Sequence, residues 1–457
     1  MPTTSPTKHF MAFFLGGLIL ASCQTHSVDR SPAPISTAGA AFSMTSPAQE
    51  MSDSVWWAEF GDAKLDDLIR RSLERNFDVL QAMARLKQAM ALTRQAEALR
   101  LPLVDLEASG QKDWIDGDGK ERILRAGGAL SWEIDVFNRL GSLALARRSE
   151  QTARLEDIEA VRLSLSAEVA ETYFDAVSQR RQLDLLQEQI AIDRDLLELT
   201  ELRFNGGLTA NVDVLQQSSQ LAETESLVPP TQAALRISEN RLDVLIGQAP
   251  DALDRVDSED RFAAIGDWPF LGVPSDLLLQ RPDLRALQNE LVAADAEIGR
   301  AIAERLPRIT LEGAYDYEDG PIIRGPAGFL LGTLVQPLLD WGARKAEVER
   351  NRALYVERLA VFSQAYLEAI EDVENALYQE RRQRQFLVRL ERRRQLLAQT
   401  VDQTRDRYTG GLTDFLPVLN AIQELQRVER IIVRQQRELL VFRIQLHRAL
   451  GGKLESS

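Results

Sequence analysis

The sequence predicts a mainly α protein with a small β part, written twice along one chain. Three observations predict it. Separated landmarks return in the same order about 204 residues later: Arg203-Phe-Asn-Gly-Gly-Leu-Thr209 as Arg407-Tyr-Thr-Gly-Gly-Leu-Thr413, Arg100-Leu-Pro102 as Arg305-Leu-Pro307, and Asp135 as Asp340. Long proline-free stretches carry a seven-residue apolar repeat. Between them the period drops to two, twice. A duplicated unit this long exceeds a solenoid repeat and implies two similar halves about a pseudo-symmetry axis.

The chain begins with Lys8 and a short apolar run, Phe10 to Ala21. The run is too short for a permanent membrane span and has the length of a signal-peptide core. It ends in Leu20-Ala21-Ser22-Cys23, which resembles a bacterial lipoprotein cleavage site, with residues 1–22 removed and Cys23 acylated. In such lipoproteins Asp after the cysteine often signals retention at the inner membrane, so Gln24 implies passage to the outer membrane. Cys23 is the only cysteine, which excludes an intrachain disulfide or thiolate metal cluster. Residues 23–54 are rich in Ser, Thr, Pro and Ala and are expected to form a flexible tether.

The first repeat is expected over residues 55–247. It opens with a helical stretch over about 62–100, followed by strands over about 101–136. There Val104, Leu106, Ala108 and Gly110 alternate with Asp105, Glu107, Ser109 and Gln111. Asp116-Gly-Asp-Gly119 is a turn signal, after which Leu124, Ala126, Gly128, Leu130, Trp132 and Ile134 continue the apolar face. One apolar and one charged face fit a membrane barrel strand, and four such strands per chain require several chains to close a barrel. A long helix then runs to the Gly-Gly pair, with Val169, Ala176, Leu183, Ile190, Leu197 and Phe204 seven apart. From Asp135 to Arg203 a continuous helix would measure ~100 Å at about 1.5 Å per residue. The pattern restarts at Val214, Leu221, Val228, Leu235 and Leu242, so the tip at about 203–209 turns an antiparallel hairpin. Gly206 is expected to be left-handed and Thr209 to cap the return helix. Pro229-Pro230 is expected to kink it.

Residues 248–274, with Pro250, Gly266, Pro269 and Gly272, read as an irregular connecting segment. The second repeat is expected over 275–450, with a helix over about 275–304, strands over about 306–340 and a tip at about 407–413. Its fourth strand, about 327–339, is apolar on both faces. Its long helix keeps the heptad at Val373, Leu387, Val401 and Tyr408 but breaks at Glu380 and Arg394. Gly410 and Thr413 mirror Gly206 and Thr209. Residues 451–457 are expected to be disordered.

Net charge is −15, which argues against nucleic acid, whose binders need a basic face. The three histidines, His9, His26 and His447, are too scattered for a triad or metal site, and no phosphate loop is present. No enzyme activity, cofactor or metal is expected.

An ordered set of motifs resembles the outer-membrane efflux family, the TolC-type channels, and within it the NodT/OprM-like lipoprotein branch. The set is Trp56-Trp57 with Phe60, Asp62 and Leu65; Asn76; Asn240 to Gly247 with Pro250; Pro274 to Asp283; and Ala293 to Gly299. The match covers about residues 54–452. The resemblance implies long helical hairpins forming a periplasmic α-barrel, and a homotrimer whose four strands per protomer form a shared 12-stranded β-barrel in outer-membrane lipid. It implies a lipid-anchored channel that carries small molecules onward from a periplasmic adaptor and an inner-membrane pump, a proton-driven one of the RND type. It places the adaptor contact at Gly206, Gly207, Leu208, Gly410, Gly411 and Leu412, and the entrance constriction at Asp414 and Asp213. The family often has a larger apolar residue where this chain has the first tip glycine. Arg203 and Arg407, in the last helical turn, suit the carbonyl end of a helix. The alternative is a structural or adaptor coiled-coil periplasmic lipoprotein without a channel. The sequence names neither the transported compound nor the cognate pump.

Overall fold

The computed structural model describes residues 25–36, 39–46, 54–114, 120–320 and 324–454. The signal segment, Cys23 and the last three residues lie outside that set. The helices α1 (Ala63–Arg75), α2 (Phe77–Ala98), α3 (Arg139–Asn205), α4 (Asn211–Ser226) and α5 (Val228–Leu245) belong to the first repeat. The second repeat has α6 (Leu277–Gln280), α7 (Pro282–Ala303), α8 (Ala343–Thr409) and α9 (Leu416–Ala449). The strands are β1 (Leu103–Trp114), β2 (Lys120–Ile134), β3 (Arg308–Asp319) and β4 (Arg324–Val335). The duplication is metric as well as sequential: α3 and α8 are each 67 residues, and α2 and α7 each 22.

Contacts divide the chain into two units. The first comprises Arg85–Leu155, Ala286–Ser363 and the described part of Met1–Ile35. Its centre is an antiparallel sheet in the order β1-β2-β3-β4. The register puts Leu106 opposite Gly128, Gly128 opposite Tyr315 and Tyr315 opposite Gly328, so the apolar sets of all four strands share one face. On the other face Arg125 lies opposite Glu318 and pairs with it at 3.0 Å. β4 adds Phe329 and Leu331 to that polar side, as its poor alternation predicts. It starts at Arg324 and stops at Val335, two residues short of Pro337. The outward edges of β1 and β4 have no strand beside them among the described residues.

Both long helices start on a carboxylate. Asp135 Oδ2 accepts from Gly141 N at 2.7 Å. Asp340 accepts from Gly342 N and Arg344 N at 3.0 and 3.1 Å. Those amides, the Arg344 one first, hold the Asp340 carboxyl below its ordinary pKa. The repeated Asp is therefore a helix-start acceptor. In the region expected to be a flexible tether, His26 Nε2 lies 2.7 Å from Asp295 Oδ1, and Asp29 N donates to Asp295 Oδ2 at 2.8 Å. Gly299 leaves room for this approach: a Cβ there would sit 3.3 Å from the His26 ring.

The second unit comprises Glu156–Arg285 and the described parts of Ser36–Ala84 and Gln364–Ser457. Its core joins Trp56, Trp57 and Phe60 to Tyr173, Phe174, Leu242, Ile246, Leu440 and Ile444. Two expected half-length helices are broken, at equivalent residues. Asn76 and Arg281 are both extended, with ψ of 138° and 118°. Pro282 enforces the second break, because the residue before proline is driven out of the helical region. Asn76 Nδ2 donates to Leu245 O at 3.0 Å, and its Oδ1 accepts from Asp78 N at 2.7 Å. At the kink expected at Pro229-Pro230 the helix is interrupted only at Leu227, whose φ of −80° and ψ of −17° stay helical, and the prolines lie in the first turn of α5 where their missing N–H costs little. Glu380, a break in the heptad, is fully buried and paired with the fully buried Arg443 at 2.8 Å.

Candidate functional site: the paired hairpin tips

The turns after α3 and α8 close in the same way. Gly207 N donates to Phe204 O at 2.9 Å, and Leu208 N to Arg203 O at 2.8 Å. Gly411 N donates to Tyr408 O at 3.0 Å, and Leu412 N to Arg407 O at 2.8 Å. This nested pair satisfies the last carbonyls of each helix and requires a left-handed residue next to the cap. That residue is the second glycine of each pair, Gly207 (φ 71°) and Gly411 (φ 70°), rather than the expected Gly206 and Gly410. The leucines that follow are held in the open, Leu208 69% and Leu412 72% exposed.

The return helices differ from expectation. The N-caps are Ala210 and Phe415, neither with a capping side chain, so Thr209 and Thr413 do not cap. Thr209 Oγ1 instead donates to Asp213 Oδ2. Asp213 is half-buried and Asp414 is exposed. Each has no acidic counterpart on the other tip, because the equivalent positions hold Pro417 and Ala210.

An apolar cluster ties the two tips together. Leu196 of α3 packs with Tyr408, Phe415, Val418, Leu419 and Ile422 of the second hairpin. The Arg203 guanidinium lies 4.4 Å from the centre of the Tyr408 ring. Arg203 therefore bridges the hairpins by cation–π attraction as well as ending α3. The only hint of this in the sequence was that Tyr408 replaces Phe204 at the repeat position.

Behind the tips sits a buried polar lattice that sequence reasoning missed. The Asp193 carboxylate accepts from Thr224 Oγ1 at 2.8 Å and from Gln426 Nε2 at 2.9 Å, and its backbone oxygen from Gln217 Nε2 at 2.9 Å. Gln189 Nε2 donates to Gln426 O at 3.2 Å. The pairings set α3, α4 and α9 in one register. Polar residues off the heptad positions gave the only signal.

Among the described residues, no group of three or more His, Cys, Asp or Glu side chains is placed to hold a metal, and no helix is long and apolar enough to cross a membrane.

The model of the outer membrane efflux protein family matches residues 68–248 and 273–452. The pyoverdine export outer membrane protein OpmQ of Pseudomonas putida is 31% identical, over 89% of this chain and 90% of its own. Nodulation protein T of Rhizobium leguminosarum bv. trifolii is 27% identical, over 99% of this chain and 98% of its own. The solved outer-membrane channel OprN superposes with a TM-score of 0.85 at 27% identity, covering 93% of this chain and 99% of that one.

Proposed function

The chain belongs to the outer membrane efflux protein family, and from that premise we propose that it works as a passive three-copy duct. It is an outer-membrane efflux component. Three copies of the four-stranded sheet close one barrel of twelve strands. The observation that carries this reading is the sheet itself. Leu106 is 92% exposed on the apolar face, and among the described residues both outer strands offer unpaired edges. Open edges are not tolerated in lipid, so neighbouring copies must cover them. The apolar face then meets lipid, and the Arg125–Glu318 face lines water.

The long hairpins form the periplasmic tunnel, and the tips form its entrance. Leu208 and Leu412 offer apolar knobs to a periplasmic adaptor, which couples the duct to a proton-driven pump of the RND type. The glycines beside them keep the backbone bare for close approach. Acylation of Cys23 holds the duct to the outer membrane. The pyoverdine export named for the OpmQ relative makes pyoverdine one cargo to test.

Asp414 and Asp213, repeated threefold, make rings of like charge at the constriction. Such rings repel unless they are hydrated, protonated or cation-bound. The decisive experiment is native mass in detergent joined to planar-bilayer conductance. A detergent-dependent trimer is expected, and Asp414→Ala is expected to raise single-channel conductance. A water-soluble single chain would overturn the duct, whereas unchanged conductance would remove only the Asp414 gate.

A further inference from the structure

The Arg-Leu-Pro motif that returns in both repeats has no part in the tips. Both copies stand where a helix hands over to a strand: Arg100 lies between α2 and β1, and Arg305 between α7 and β3. The two are held alike. Trp132 Nε1 donates to Arg100 O at 3.0 Å, and Gln336 Nε2 to Arg305 O at 3.3 Å. Trp132 belongs to the apolar face of β2, and Gln336 follows Leu334 of that face by two residues. Each motif is therefore tied to the apolar side of the sheet, at its helical end. Both arginine side chains are exposed and have no ion-pair partner among the described residues. Carboxylates at this end are already engaged: Asp135 and Asp340 on helix-start amides, and Glu133 on Arg139 at 2.8 and 2.7 Å.

Apolar side chains crowd the same level. The register sets Ile134, Ile309 and Leu334 in one row, so the segments after β2 and β4 leave the sheet together. Phe137 and Pro337, one from each segment, line a single cleft of about 210 Å³. Leu101 is 66% exposed, and Leu338 and Trp341 are each 91% exposed. Trp341 has a φ of 54°, a left-handed backbone that a bulky residue adopts only under strain. Water offers no compensation for that strain. A bilayer boundary does, because the indole joins an apolar body to an N–H donor and settles at headgroup level. The N-terminal segment marks the same level. Thr25 Oγ1 donates to Phe137 O at 3.4 Å, and Asp295 holds His26. Cys23 is two residues earlier, so its acyl chains start within ~7 Å of Thr25 at about 3.5 Å per residue.

We propose that this end of the sheet is a seat for anionic phospholipid of the bilayer. Arg100 and Arg305 grip headgroup phosphate, while Leu101, Leu338, Leu339 and Trp341 enter the acyl boundary. A guanidinium matches a phosphate in both geometry and charge. The seat fixes the depth of the sheet in the membrane at the level where the N-terminal segment delivers its acyl chains. The inference rests on the duct reading above, with Cys23 acylated.

The test uses the full chain in detergent with added phosphatidylglycerol, and native mass counts the lipid retained. Arg100→Gln and Arg305→Gln remove charges that pair with nothing in the fold. Each is expected to weaken retention about fivefold, and the two together about twenty-five-fold, as ~1 kcal/mol per arginine at an anionic surface gives. Phosphatidylcholine, which has no net charge, is expected to be retained equally by the unaltered chain and the double variant. Excess inorganic phosphate is expected to leave the phosphatidylglycerol in place. Trp341→Gly supplies a second readout. It relaxes the backbone, so the unfolding midpoint is expected to rise in lipid-free detergent and to fall in phosphatidylglycerol vesicles. Retention indifferent to both arginines, lipid displaced by phosphate alone, or a Trp341→Gly midpoint that rises in vesicles too would overturn the seat. An unaltered chain that is single and water-soluble would instead overturn the duct on which the seat rests.

Discussion

Arg443 is the most committed side chain in the second unit. It is fully buried, bonds Glu380 through Nε and Nη2 at 2.9 and 2.8 Å, pairs with Glu59, and donates to Asp267 O at 3.0 Å. Breaking a buried pair from one side strands the other charge, so Arg443→Ala is expected to lower unfolding stability by about 3–5 kcal/mol. Denaturant titration of the folded chain measures it. Glu59 supplies a pH signature. Burial would raise its pKa, but the hydrogen bond with His447 and the charge of Arg443 override it, and the net direction is down. A lowered folded pKa contributes stability that is present above the unfolded value of 4.5 and is lost as pH falls through the folded one. Unfolding midpoints are therefore expected to drop as pH falls below about 4.5, and Glu59→Gln to flatten that limb. None of this was legible beforehand. Glu380 looked like a defect in the heptad, because its partner lies 63 residues away and a local pattern cannot name it.

At the scale of elements, the sequence was most legible where the signal is local. Apolar periodicity located both 67-residue helices, and alternation located the strands. Breaks set by long-range contacts were not legible. Asn76 ends α1 by reaching Leu245 O, which no neighbouring residue announces. Pro282 carries a local stop signal, yet the helix was expected to run through it over about 275–304. Glycines show the same division. Gly247 is left-handed at 75°, and a Cβ there would meet Arg75 O at 2.7 Å; Gly451 repeats this against Gln280 O at 2.7 Å. Gly207 is left-handed but open, and a Cβ on Gly206 would meet its nearest atom at 3.5 Å. Alanine at Gly206 is expected to be tolerated. At Gly207 it should cost ~1–2 kcal/mol for the left-handed backbone alone. At Gly247 it should cost more, since a backbone collision is added. Thermal unfolding of the three variants tests the order.

For the whole molecule, the two faces of the sheet make opposite demands. Leu106 and Glu107 are adjacent in β1 but point to opposite sides. Arginine facing lipid near the midplane costs about 2–4 kcal/mol, while a water-lining position accepts it. Leu106→Arg is therefore expected to reduce the fraction of chain that resists unfolding in a heat-shift gel, and Glu107→Arg to leave it unchanged. The pattern of alternation foretold those faces. It could not foretell that β2 pairs with β3 across more than 170 residues, because strand partners are chosen by the helices that bring them together.

The bare margins of β1 and β4 have a genetic consequence. A cylinder shared by three subunits is spoiled by one faulty member. If half the copies in a cell carried a damaged margin, only about one cylinder in eight would be wholly sound. Defects there should behave as dominant alleles, whereas losses confined to a subunit's own interior should be masked by a healthy second gene.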